Sequence, residues 1–242
     1  MARSRKARRG RRKVYARRAL AAVAAVGLAA LLLLAAVIVA YRFVAPPFST
    51  LMVAQAVSGG EVRQRWVPIA RMSRHLVTAV VMSEDARFCS HQGVDWGAMR
   101  EAVQEAWRRG EPPRGASTIP MQTAKNLFLW QGRSYLRKAM EVPLAYAIRF
   151  GWGRRRLLEI YLNFAEWAPG VFGAEAAARH HFRKAAARLS PREAALLAAA
   201  LPNPYVRRAG RPGPLTRRLA SLIETRKMKD SSRFLRCIYP AT

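Results

Sequence analysis

Residues 74–95 read RHLVTAVVMSEDARFCSHQGVD and join an apolar stretch to a polar turn. Apolar side chains recur at helical spacing over residues 74–88, so we predict a helix there. A carboxylate at the end of such a helix lies beside a hydrophobic wall, where desolvation raises its pKa and makes it a better base. The simpler alternative is an exposed helix end that carries two acids and a histidine, with Phe88 in the core.

A second polar segment is found at residues 115–126, GASTIPMQTAKN. Ser117 or Thr118 can cap a helix there, and the proline that follows fits the first helical turn. A helix N-terminus of this kind can bind phosphate, although the spacing excludes a Walker P-loop. The alternative is a capped, polar helix surface. Three side chains of this helix share one face and present two amides and an ammonium group: Gln122, Lys125 and Asn126.

A third segment, residues 133–141, reads RSYLRKAME and places Arg137 four positions before Glu141. The simpler interpretation is an intrahelical ion pair, which contributes roughly 0.2–0.5 kcal/mol to helix stability. The functional interpretation is a second carboxylate, held by a cation, that faces Glu84 across a cleft.

Helical patterns continue after residue 71 and predict one mainly α-helical domain over residues 62–228. Residues 42–61 contain Pro46-Pro47 and Gly59-Gly60 and are predicted to be a linker. Residues 229–242 show no clear pattern and are predicted to be a tail. Asp95 is predicted to cap a helix that runs to Arg109. Further helices are predicted over 119–129, 134–149 and 154–166, from Ser190 to just before Pro202, and over 215–228.

The N-terminus combines a basic and an apolar stretch. Residues 1–18 carry ten Lys or Arg and no acid, and residues 19–40 carry no charge. At about 1.5 Å per residue, the apolar stretch can cross a hydrocarbon core about 30 Å thick as one helix. A cleavable signal peptide has a shorter apolar region, and a nucleic-acid-binding arm leaves the apolar stretch unexplained. We therefore predict a basic cytoplasmic tip at 1–18 and a transmembrane anchor at 19–41, with the remainder across the membrane.

The composition limits the possible classes of protein. The chain has 242 residues, of which 51% are hydrophobic and 24% charged, and this excludes a wholly disordered chain. Lys and Arg number 43 against 14 Asp and Glu, a net charge of +29 that favours anionic partners: nucleic acid, a phospholipid surface or a phosphorylated substrate. An excess of solvated surface arginine is the simpler explanation of this charge. Two cysteines exclude a Cys-rich zinc module or a multi-disulfide framework.

In their order and spacing, the polar segments resemble the glycosyltransferase domain of bacterial peptidoglycan synthases, family 51. The resemblance covers about residues 62–226. It implies a lysozyme-like, mainly α-helical fold in a single-pass protein of the bacterial inner membrane, with a cytoplasmic N-terminus and a periplasmic catalytic domain. The matching segments are EDARFCSHQGVD, GASTIPMQTAKNLFL, RKAME, RRRLLEIYLN and GVFGAEAAARHHFRKAAARLSPREAALLAAALPNP.

The resemblance also implies a reaction. The substrate would be lipid II, a disaccharide-pentapeptide linked through pyrophosphate to a polyprenyl chain, together with the growing glycan chain. Glu84 matches the family's base, which would deprotonate the acceptor hydroxyl, and Glu141 matches a second carboxylate that acts at the donor pyrophosphate. Lys125 and Arg137 would offset the charge of the leaving group. Further matching positions would shape or line the cleft: Asp85, Phe88, His91, Ser117, Thr118, Gln122 and Asn126.

Other expectations follow from the same resemblance. No tightly bound cofactor is implied, and a divalent cation, Mg²⁺ or Mn²⁺, with Glu141 near the pyrophosphate is left open. Membrane lipids are expected as partners, other cell-wall synthases are left open, and nucleic acid is not expected. Two alternative functions are retained: a lysozyme-like glycan hydrolase, and a non-enzymatic, membrane-anchored binder of anionic polymers.

Two positions of the chain raise questions of their own. The family usually has Gln-Gln where this chain has Met121-Gln122, and a thioether cannot form the hydrogen bonds of an amide. Cys89 lies inside the first segment and is expected to be a tolerated small residue. A disulfide with Cys237 is the less favoured alternative, because Cys237 lies in the predicted tail.

Overall fold

The computed structural model describes the backbone of residues 2–111, 115, 117–132 and 134–239. Side chains are described from residue 15 onward within these ranges, except over 226–233. The chain divides into two compact units, Met1–Val44 and Ala45–Thr242.

The first unit consists of helix α1, Ala2–Phe43. Within it, Tyr15–Phe43 is long and apolar enough to cross a membrane, with a mean hydropathy of 2.9 over its most apolar window. The predicted N-terminal apolar helix is thereby confirmed, and the predicted anchor at 19–41 lies inside it.

The second unit is mostly helical, as predicted. A small sheet accompanies its helices, with the strand order β1-β3-β2, in which β1 pairs parallel and β2 antiparallel to β3. Its helices are α2 (Thr50–Val57), α3 (Arg74–Glu84), α4 (Trp96–Arg109), α5 (Ile119–Phe128), α6 (Tyr135–Phe164), α7 (Ala174–Phe182), α8 (Pro191–Ala200) and α9 (Pro214–Leu235), with 3-10 turns at Ile69–Arg71 and Ala186–Arg188. Its strands are β1 (Arg63–Gln64), β2 (Glu166–Ala168) and β3 (Val171–Phe172).

Helix α3 is the centre of the core. Its Leu76, Val77 and Val80 are fully buried, and the helix packs against α8 and α9. Burial of each such side chain contributes about 1.5–3 kcal/mol of transfer free energy, so this contact fixes the position at which α3 ends. Helix α5 packs along α6 in the same way. The end of α3 and the start of α5 are therefore held in place by packed helices.

The second half of α6 holds the chain that leads into α3. Gly153 adopts left-handed backbone angles (φ 72°, ψ 170°), and this break separates the two helices that the sequence predicts. The Asn163 amide donates to the Val67 carbonyl at 2.9 Å and accepts from the Val67 N–H at 3.0 Å. The Ile69 N–H donates to Glu159 Oε2 at 2.8 Å. Asn163 and Glu159 of this helix thus have structural roles.

The predicted linker and tail need correction. Residues 50–57 form α2, and the Thr50 hydroxyl lies 2.9 Å from the Asn126 carbonyl and 2.6 Å from the Leu129 carbonyl. This helix therefore belongs to the domain, which begins before residue 62. Helix α9 continues to Leu235, so the predicted end at 228 is too early.

The expectation that Cys89 stands alone is wrong. Cys89 and Cys237 form a disulfide, with their Cα atoms 5.6 Å apart. The physical reason is that the chain after α9 turns back, with Leu235 and Ile238 both buried. Packing of these two apolar side chains brings Cys237 to the loop that follows Glu84. No local sequence pattern indicates this approach.

Candidate active site

A cleft of about 680 Å³ opens beside the ends of α3 and α5 and the start of α6. Helix α2 and the segment after α8 form its other walls. The cleft therefore gathers side chains that are far apart in the sequence. Its polar and charged lining residues are Gln55, Glu84, Ser117, Gln122, Lys125, Asn126, Gln131, Arg137, Lys138, Glu141, Tyr161, Glu166 and Tyr205.

Glu84 is the last residue of α3 and faces this cleft. Its Oε2 accepts a hydrogen bond from the Gln122 amide at 3.0 Å. Burial raises the pKa of the Glu84 carboxyl above its ordinary value, and the charge of Asp85 adds to this, while the Gln122 amide and Arg207 oppose it. A carboxylate with a raised pKa is a stronger proton acceptor than an ordinary glutamate.

Tyr161 fixes the orientation of the Gln122 amide. Its buried hydroxyl donates to Gln122 Oε1 at 2.9 Å, so the amide nitrogen points to Glu84. Burial raises the pKa of Tyr161 well above its usual value, and the charges of Glu84 and Asp85 add to this, which keeps the hydroxyl protonated. Tyr161 was not among the predicted site residues, because the sequence of its helix shows only a packing pattern.

A hydrogen-bonded brace behind the cleft joins the end of α3 to the start of α5. Asp85 accepts from His91 Nε2 at 2.9 Å and from the Ile119 N–H at 2.9 Å. His91 Nδ1 accepts from the Gly93 N–H, which places the ring proton on Nε2, and the Thr118 hydroxyl donates to the Gly93 carbonyl at 2.6 Å. Four of the predicted site residues do not line this cleft but support it from behind: Asp85, Phe88, His91 and Thr118.

Glu141 lies in the same cleft and is only 2% exposed. One of its carboxylate oxygens pairs with the Arg137 guanidinium, and the other accepts from Lys138 Nζ at 2.8 Å. Lys138 also donates to Ser117 Oγ at 2.8 Å, and Arg137 Nε donates to the Gly132 carbonyl at 3.0 Å. Lys138 was not among the predicted site residues, although its spacing of three from Glu141 in RKAME indicates such an ion pair.

Lys125 adds a third cation to this wall of the cleft. Burial lowers its pKa, the charge of Glu141 opposes the shift, and Arg137 and Lys138 add to it. Its ammonium group forms no hydrogen bond or ion pair with the described residues, so it is available to a ligand. The neighbouring Asn126 has its Oδ1 buried without a partner among the described residues. This wall can therefore stabilise a negative charge that develops on a bound group.

Met121 does not face the cleft. Its side chain is fully buried and packs with Val94 and Ala145, in contact with Met99 and Tyr146. A thioether suits such an apolar site, and the amide that the cleft does contain is that of Gln122. The Met121 substitution therefore removes no hydrogen-bonding group from the cleft.

Comparisons with known proteins identify the family of this chain. The family model described as Transglycosylase matches residues 51–227. A biosynthetic peptidoglycan transglycosylase of Rhizobium meliloti (strain 1021) is 55% identical over 193 residues, which cover 80% of this chain and 81% of that protein. One of Rhodospirillum centenum (strain ATCC 51521 / SW) is 53% identical over 210 residues, which cover 86% and 89%.

The chain therefore belongs to the transglycosylase family, whose domain is lysozyme-like. It is an enzyme, and its function is that of a peptidoglycan transglycosylase, a glycosyltransferase of cell-wall synthesis. The resemblance found in the sequence is confirmed.

Proposed function

We propose that this enzyme polymerises lipid II, with Glu84 as the general base. One observation carries the proposal. Glu84 is a desolvated carboxylate whose hydrogen bond comes from a neutral amide, and it shares one cleft with the cations around Glu141. A proton acceptor and an anion-stabilising wall in one cleft suit the attack of a hydroxyl on a sugar that carries a pyrophosphate.

In the proposed step, Glu84 accepts the proton of the 4-hydroxyl group of the acceptor GlcNAc. The oxygen forms a bond to the anomeric carbon of the donor MurNAc as the bond from that carbon to pyrophosphate oxygen breaks. Attack from the opposite face converts the α linkage to a β-1,4 linkage. Polyprenyl pyrophosphate leaves with the electron pair, and the glycan chain is longer by one disaccharide.

Lys125, Arg137 and Lys138 face the leaving pyrophosphate in this proposal. Their charges are held in place before the reaction, so they stabilise the developing negative charge without reorganisation. Glu141 positions Arg137 and Lys138 through its two ion pairs. Mg²⁺ or Mn²⁺ at Glu141 stays a prediction, which the site fits poorly because both carboxylate oxygens already bind cations. No step is therefore assigned to a metal.

The apolar segment Tyr15–Phe43 supports a single-pass anchor in the bacterial inner membrane. By the positive-inside rule, the basic residues before it favour an N-terminus in the cytoplasm and a catalytic unit in the periplasm. A lipid-linked donor and a membrane-anchored enzyme then meet at the same surface. Contacts with other cell-wall synthases, and the expected lack of a nucleic-acid partner, stay predictions.

The test is polymerisation of labelled lipid II by the full chain in detergent, with Glu84→Gln and the exposed control Glu101→Gln beside it. We expect long glycan from the wild type and from the control, and a loss of about 10³-fold in rate for Glu84→Gln. Equal rates from Glu84→Gln and the wild type would remove Glu84 from the role of base. Shortening of finished, labelled glycan by the wild type would favour the hydrolase alternative instead.

A further inference from the structure

A second cavity of about 570 Å³ lies next to the catalytic cleft and shares Pro204 and Tyr205 with it. None of its described lining residues is acidic. We call it the arginine pocket. Its basic and aromatic side chains are His180, His181, Arg183, Arg208, Arg211 and Tyr205.

The three arginines of the arginine pocket are not neutralised by any residue in the described part of the chain. Among the described residues, the guanidinium groups of Arg183, Arg208 and Arg211 take part in no hydrogen bond or ion pair. In a neighbouring hollow, two of the three lining arginines are paired with acids: Arg179 with Glu175 at 2.7 Å and Arg63 with Glu61 at 3.4 Å. Three cations around one concave surface repel one another unless an anion lies between them.

The backbone at Arg183 is unusual. Its φ of 55° makes it the one residue other than glycine with a positive φ in the part of the chain that the structure describes. It ends α7 in the left-handed conformation, with its N–H donating to the Arg179 carbonyl at 3.0 Å. Glycine is strongly preferred at such a position because it has no Cβ. An arginine that occupies a strained position in a pocket wall points to a use for its side chain.

The two segments that supply the arginines are held against each other. His181 Nδ1 accepts from the Gly210 N–H at 3.2 Å, so its proton is on Nε2, which donates to the Trp167 carbonyl at 3.2 Å. Ala209 is fully buried, and the Arg211 N–H donates to the Arg208 carbonyl at 3.2 Å. The backbone that carries the arginines is thus held in place, and their side chains are exposed and accessible to a ligand from solvent.

We propose that the arginine pocket binds the peptide carboxylates of the glycan substrate while the sugars lie in the cleft. This inference rests on the proposed function. The shared wall at Pro204 and Tyr205 means that one ligand can occupy both cavities, and the Tyr205 hydroxyl is fixed by a 3.0 Å bond to Glu166. Arginine is suited to carboxylates because its planar group can donate two parallel hydrogen bonds.

The test measures binding of a soluble disaccharide-pentapeptide without lipid, once with free and once with amidated peptide carboxylates. The full chain in detergent is used as wild type, Arg183→Gly and the matched control Arg218→Gln, an exposed arginine outside the pocket. We expect the free acid to bind about five-fold more tightly to the wild type and to the control. In Arg183→Gly this ratio should fall below about two, while thermal unfolding occurs at or above the wild-type temperature.

Two results would overturn the inference: equal binding of the two ligands by the wild type, or an unchanged ratio in Arg183→Gly. An anionic lipid headgroup is the competing occupant, and vesicles of phosphatidylglycerol or phosphatidylcholine distinguish it. If Arg183→Gly changes binding to the anionic vesicles but not the peptide ratio, the peptide proposal is wrong. Because the ligand lacks pyrophosphate, this binding assay is independent of whether Glu84 is the base or whether lipid II is polymerised.

Discussion

Glu84 and Glu141 share one cleft, but their surroundings are opposite. Glu84 accepts a hydrogen bond from a neutral amide, and burial raises its pKa. Glu141 is bound by Arg137 and Lys138 on its two oxygens and is almost completely buried. The same side chain can thus serve as a proton acceptor where its partner is neutral, and as a clamp for cations where its partners are charged.

The largest expected effect is a difference in catalytic rate between variants of the two carboxylates. Glu84→Gln removes the proton acceptor and should lower kcat by about 10³-fold. Glu141→Gln leaves the base in place and should lower kcat/KM by only about 10–100-fold, through misplaced cations. The measurement is the initial rate of lipid II polymerisation for both variants at several donor concentrations. Similar losses in both variants would mean that the division of roles is wrong.

The second expected effect is on stability, where the larger loss should come from Glu141→Gln rather than from Glu84→Gln. Glu141→Gln leaves the buried Arg137 without its carboxylate, so we expect a loss of about 1–3 kcal/mol in the free energy of unfolding. Glu84→Gln replaces a desolvated carboxyl by a neutral amide and should leave stability unchanged or raised. Urea unfolding of both variants beside the wild type measures this. A more stable Glu141→Gln protein would show that the ion pairs do not hold this wall together.

A third effect appears on the alkaline side of the pH profile. The pKa of Lys125 is lowered by burial, so its ammonium group loses its proton at a lower pH than an ordinary lysine. Activity that needs this charge should then decline as pH rises through that pKa. Lys125→Arg keeps the positive charge throughout this range, so the decline should be absent in this variant and should persist in the exposed control Lys184→Arg. An unmoved alkaline limb would remove Lys125 from leaving-group stabilisation.

The smallest expected effect on catalysis comes from the disulfide. The double variant Cys89→Ser with Cys237→Ser opens a link between residues 148 apart in sequence and should lower the free energy of unfolding by about 2–4 kcal/mol. The pH dependence of kcat/KM should not change, because neither sulfur lines the cleft. Thermal unfolding and the pH profile are both measured. A changed profile would mean that Cys237 helps to position Glu84.

The predictable parts of this molecule are those with local patterns. The apolar spacing of 74–88 predicts α3, which ends four residues earlier at Glu84, and the charge-free stretch of 19–40 predicts the apolar part of α1. The caps of α5 and α8 are equally local, since Thr118 and Ser190 accept from backbone N–H groups within three residues. Short-range hydrogen bonds and helical periodicity are encoded in neighbouring residues, and a sequence shows them directly.

The unpredicted parts depend on contacts between distant segments. Tyr161 orients Gln122 across 39 positions, and Cys237 reaches Cys89 only because the buried Leu235 and Ile238 turn the chain back. The inward orientation of Met121 likewise follows from the packing of α5 on α6. A single sequence carries no local mark of such pairings, because tertiary packing decides them.

The most direct test of the division of roles is the acid limb of kcat/KM for lipid II polymerisation, measured for the wild type and Gln122→Leu. Glu84 is active as the deprotonated form, so activity appears as pH rises through its pKa. We expect a wild-type midpoint above the ordinary value for glutamate, and a still higher midpoint in Gln122→Leu, because this variant loses the amide that stabilises the Glu84 carboxylate. Identical midpoints, or a wild-type midpoint at the ordinary value, would contradict the assignment of Glu84 as the desolvated base.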